Sequence, residues 1–113
     1  MSSKKFKRTS TADVNQAQIQ HMGANVRGII AVNTNAAARF LKLYDNDGAT
    51  ALTVGTTVPD ITIQLAPSVG TFLFPTDGIN FKLGLAMAIT GLAADSDATA
   101  IGAGDVILTV LYE

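Results

Sequence analysis

The residues INFKLGLAMAITG, Ile79–Gly91, decide between helix and strand for this chain. Their alanines favour a helix by propensity. Against that, Ile79, Phe81, Leu83, Leu85, Met87 and Ile89 recur at every second position, opposite Asn80, Lys82, Gly84, Ala86, Ala88 and Thr90. Apolar residues with period two predict one long strand with a buried face. Gly84 within it marks a bulge or a close approach of another backbone.

The flanking sequence follows the same rule. NVRGIIAVN is rich in β-branched residues, as a half-buried strand requires. ARFLKLYD places Phe40, Lys42 and Tyr44 on one side and Arg39, Leu41 and Leu43 on the other, so one of the two rows belongs at an edge or interface. ATALTVG reads as a short strand, and DITIQLAP alternates between Pro59 and Pro67. GTFLFPTDG is an aromatic segment closed by a turn, and DVILTVLYE is a final strand with Val106, Leu108 and Val110 on one face. Many short strands separated by turn signals predict an all-β, antiparallel β-sandwich, jelly-roll-like, over residues 25–113.

Residues 1–24 are polar with little periodicity. Lys4, Lys5, Lys7 and Arg8 concentrate half of the eight basic residues at the start, leaving the rest of the chain acidic. We expect an extended, basic N-terminal arm whose four bases meet a partner surface. Nucleic acid is not the expected partner, because the folded part is acidic and has no recognition-helix pattern. No stretch is long and apolar enough for a helix to cross a bilayer. No apolar segment follows the basic start to make a secretory signal. Charged residues make up only 15% of the 113 positions, against about 25% in an average domain, which suits a surface partly covered by partners or by copies of itself.

Catalytic patterns are missing from this reading. The single histidine, His21, lies in the expected arm, and there is no cysteine. No cofactor loop is recognised: Gly102-Ala103-Gly104 lacks the third glycine and the helix of a dinucleotide site. Asp45, Asp47, Asp95, Asp97 and Asp105 sit beside Gly, Asn or Ser, where aspartate usually closes a turn on its own backbone. DNDGAT copies the start of a calcium loop, but the closing glutamate is missing. Turns are the expectation at both loops, with calcium the lesser alternative. Phe40, Tyr44, Phe72, Phe74, Phe81 and Tyr112 are expected in the core rather than on a sugar-binding platform.

Four segments, Lys42–Tyr44, Thr53–Pro59, Gly84–Thr90 and Ala94–Val106, together resemble small β-sandwich virion accessory proteins of tailed bacteriophages, of the head decoration or cement type. The resemblance covers residues 25–113 and carries over no site residues. It implies a non-enzymatic, structural protein on the capsid surface, made in the host cytoplasm. Its implied partners are the major capsid protein and copies of itself, as a homo-oligomer such as a trimer. The alternative is a tail, fibre or baseplate module that binds a host-surface glycan.

Overall fold

Alternating apolar residues build nine strands and, among the described residues, no helix; the computed structural model describes residues 3–113. In chain order they are β1 (Lys4–Thr9), β2 (Ala17–Gln20), β3 (Ala24–Asn33), β4 (Arg39–Asp45), β5 (Ile61–Leu65), β6 (Gly70–Leu73), β7 (Ile79–Phe81), β8 (Leu85–Thr90) and β9 (Val106–Tyr112). They form two antiparallel sheets. The first has the order β1-β9-β3-β6, with β7 also paired to β3; the second has the order β2-β8-β4-β5. Val26, Ile29, Leu108 and Val110 of the first sheet meet Leu41, Leu43, Met87 and Ile89 of the second in one buried core.

The expected alternation holds in the later strands. Val106, Leu108 and Val110 of β9 point into the core, and β5 turns Thr62 and Gln64 to solvent. β9 is central to its sheet, hydrogen-bonded to β1 on one side and β3 on the other.

Three expectations are corrected. The single strand over Ile79–Gly91 is two strands in different sheets, β7 and β8. The chain crosses between them at Lys82–Gly84, and Leu83, in phase with its neighbours, is 59% exposed. The carboxylate of Asp45 holds this crossing, accepting hydrogen bonds from the backbone N–H groups of Lys82 (3.1 Å), Leu83 (2.8 Å) and Gly84 (3.4 Å). Residues 49–55, expected as a short strand, form none; Val54 makes only a single bridge with Thr57.

The segment expected as a free arm at 1–24 is built into both sheets from Lys4 onward. β1 lies along β9 over Lys4–Thr9, and β2 lies along β8. Phe6 packs against the core, which supplies the reason for docking. The bases of β1 suit its place at the sheet edge, because charged side chains, lysine above all, discourage edge-to-edge pairing with another chain.

Candidate interaction face

β3 and β9 carry apolar residues on both faces, a pattern that suits a sheet covered on both sides. The outer side of the second sheet is covered by its own chain over β4 and β8. It bears Lys42 and Tyr44 of β4 opposite Ala88 and Ala86 of β8. The small alanines leave room for loops to descend, and Leu52 and Val54 pack against Tyr44, Ala86 and Ala88. Lys42 is fully buried there. Its Nζ donates to the carbonyls of Ala94 (2.6 Å) and Asp97 (3.2 Å) in the Asp-rich loop. One of the two rows of β4 was expected at an edge or interface; of the Phe40 row, Lys42 and Tyr44 are closed over by the chain itself.

Among the described residues the first sheet has no such cover. Its outer face presents Ile30 and Val32 from β3, Ile107 and Leu111 from β9, and the rings of Phe72 and Phe74 on the β6 side. Val32 and Ile107 are each 38% exposed, Phe72 65% and Phe74 59%. These two rings were expected in the core, and this is a correction. Glycines lay them flat on the sheet. A Cβ at Gly28 would stand 2.7 Å from the Phe74 ring, and one at Gly70 would stand 2.9 Å from the Phe72 ring. The result is a smooth apolar surface, bounded beyond Leu111 by Glu113, whose carboxylate lies 3.9 Å from Arg27 Nε. A contiguous uncovered apolar face of this kind marks a contact surface on a protein.

The four expected binding bases are split by the alternation of β1. Lys5 and Lys7 pair with Leu111 and Thr109 and border the apolar face opposite the phenylalanines. Lys4 and Arg8 point to the other side. Lys4 Nζ donates to Gln20 Oε1 at 3.1 Å, and the Arg8 guanidinium lies 6.0 Å from the centre of the Phe6 ring. The structure does not bring all four into one cluster.

The aspartates close loops. Asp97 accepts from the N–H groups of Leu92 and Thr99 and from the Thr99 hydroxyl at 2.6 Å. Asp105 accepts from Gly102 N–H at 2.8 Å and pairs with Arg39 at 3.1 Å. Asp47 closes a turn on Ala49 N–H, and His21 Nδ1 lies 2.9 Å from the Asp47 carbonyl. Among the described residues no group of three or more His, Cys, Asp or Glu side chains is placed to hold a metal ion. An open polar hollow lined by Asn25, Asp77, Asn80 and Glu113 lies at one end of β3.

These bonds predict an acid limb of stability. Burial pushes the Asp45 carboxyl up, but the N–H groups of Leu83, Lys82 and Gly84 and the charge of Lys82 hold it below the usual 3.8. Asp97 is likewise lowered against burial, by the Thr99 hydroxyl and N–H, Leu92 N–H and the Lys42 charge. Asp105 is lowered first by Gly102 N–H, with burial opposing and Asn35 and Arg39 adding. Each group binds its proton more weakly folded than unfolded. The unfolded chain therefore holds more protons between the two values, and stability rises with pH there. Melting temperature should stay level from neutral pH down to about 5 and fall below about 4 as the folded values are crossed. Replacing all three residues by Asn should flatten that limb; an unchanged limb would place its cause elsewhere.

Comparison of the chain with family models, with curated proteins and with solved structures finds no match.

Proposed function

We propose that this protein is a structural component of a tailed-phage virion, a head decoration (cement) protein that stabilises the capsid by covering surface between capsomers. The observation that carries this reading is the uncovered apolar outer face of the first sheet, in a chain whose second sheet is covered over β4 and β8 by its own loops. A cement protein acts through contact area repeated over many copies, and such a face supplies contact area. The strand order supports the same reading. With β6 and β7 counted as one interrupted strand, the orders β1-β9-β3-β6 and β2-β8-β4-β5 follow a jelly-roll sandwich, an architecture used by capsid and lectin domains. Fold alone does not assign function, so the face and the resemblance over residues 25–113 carry the weight.

The test is sedimentation of the purified protein with expanded heads that lack it. Saturable binding to the heads is expected, and the Phe72→Ser/Phe74→Ser variant should lose most of it. Binding on a glycan array with no affinity for heads would transfer the protein to the tail or fibre reading.

A further inference from the structure

The outer face of the first sheet has a polarity that selects its partner. Lys5 and Lys7 form one border, Phe72 and Phe74 the opposite border, and aliphatic side chains of β9 and β3 lie between. We infer that this face pairs with the same face of a second copy, with the two-fold axis running along the strands. The inference rests on reading the face as a contact surface and makes its partner a second copy, so that the pair is the unit that binds heads and head binding is lost with the pair in the phenylalanine variant.

The geometry decides between the two limiting two-fold arrangements of stacked sheets, which keep their strands within about 30° of each other. With the axis across the strands, β1 lies over the partner's β1, and Lys5 and Lys7 meet their own copies. With the axis along the strands, the order β1-β9-β3-β6 reverses above itself. β1 then lies over the partner's β6, and β9 over the partner's β3. Lys5 and Lys7 reach the exposed ring faces of the partner's Phe72 and Phe74, a favourable cation–π arrangement. Ile107 meets the partner's Val32, Thr109 the partner's Ile30, and Leu111 the partner's Gly28 with the Phe74 ring laid over it. The chain already sets a cation over a ring within β1, where Arg8 lies 6.0 Å from the Phe6 ring centre. The acid at the end of this face, Glu113, is paired with Arg27 at 3.9 Å, so an unlike partner would have to bring its own acids to meet Lys5 and Lys7, whereas a second copy meets them with aromatic rings.

The size fits a dissociable pair. Four strands about 4.8 Å apart and about five residues long give a face of roughly 19 by 17 Å. The two rings, at 65% and 59% exposure, alone offer on the order of 250 Å². A pair of faces buries on the order of 1,000 Å² in total, the lower bound of a specific interface.

Sedimentation equilibrium of the whole chain, from micromolar to near-millimolar concentration, tests this. A monomer–dimer equilibrium is expected. The Phe72→Ser/Phe74→Ser variant should weaken it at least about 100-fold, and its thermal melt checks that it is folded. The Lys5→Gln/Lys7→Gln variant, altered only at exposed side chains, reads the axis. It should weaken the pair about tenfold, whereas an axis across the strands would make the same change strengthen it. A monomer throughout, a three-fold species, a dimer indifferent to the phenylalanines, or a stronger glutamine variant would each overturn the inference. Head binding is measured separately. A chain that pairs in solution yet ignores heads refutes the decoration reading and leaves the pair standing.

Discussion

Gly84→Ala is expected to lower stability by about 3 kcal/mol, beyond the usual cost of an added methyl group in a packed interior. For a chain of this length that is a fall in melting temperature of roughly 10 °C or more. Gly84 sits where the chain passes from β7 to β8, and its backbone has no positive φ to explain the glycine. Space explains it. A Cβ there would stand 2.6 Å from the Asn46 carbonyl oxygen, 2.7 Å from that of Gln20 and 2.8 Å from Asp47 Cα. All three are backbone atoms, from the loop after β4 and the end of β2, so no side-chain rotation relieves the clash. Gly104 is the control. Its φ is 76° with nothing within 4 Å of a Cβ, so Gly104→Ala should cost only the left-handed strain, about 1 kcal/mol. Urea or thermal unfolding of the two variants checks both. Equal, small losses would mean that the three segments do not meet at Gly84.

Lys42→Ala should cost about 3 kcal/mol, combining the lost packing of a buried aliphatic stem with two charge-assisted hydrogen bonds. The ammonium gathers the Asp-rich loop from within, bonding the carbonyls of Ala94 and Asp97, while the Asp97 carboxylate ties Leu92 and Thr99. Lys42→Met separates the two contributions. It keeps the stem and removes only the charge, whose burial itself carried a desolvation cost, so the loss should be nearer 1 kcal/mol. The loop should loosen in both variants. Hydrogen exchange at Leu92 and Thr99 is therefore expected to quicken in the methionine variant as well. Parental exchange rates there would show that the ammonium does not hold the loop.

The parts of the fold legible in the sequence were those whose partners need not be known. β5 and β9 alternate against one core, and period two is visible without a neighbour. β1 was hidden because a good edge strand and a solvated tail have the same composition; Phe6 alone marks the side that packs inward. The crossing at Lys82–Gly84 was hidden because Leu83 keeps the period while the chain changes sheets. What decides it, the Asp45 carboxylate, lies 37 or more positions earlier. Lys42 looked out of place in an apolar row because its acceptors, 52 and 55 residues away, are backbone carbonyls that no side-chain pattern reveals.

The candidate face was half legible. β3 and β9 are apolar on both sides in the sequence itself, yet β3 was read as a half-buried strand because β-branched content alone does not tell one covered face from two. That β3, β9 and β6 are neighbours, and that no loop among the described residues covers them, follows only from the structure. Aromatics in an alternating segment were therefore assigned to the core, although Gly70 beside Phe72 offered a local hint of a ring laid flat. The four bases were legible as charge, but their division between two sides of a strand was not.

The central claim is that this chain is a repeated surface component of a virion. Quantitative mass spectrometry of purified particles from the genome that encodes it tests that claim most directly. The account predicts the protein in a fixed stoichiometric ratio to the shell subunit, removed together with its stabilising effect when Phe72 and Phe74 are replaced by Ser. Particles that contain none of it, or only a handful of copies confined to the tail, would contradict the account.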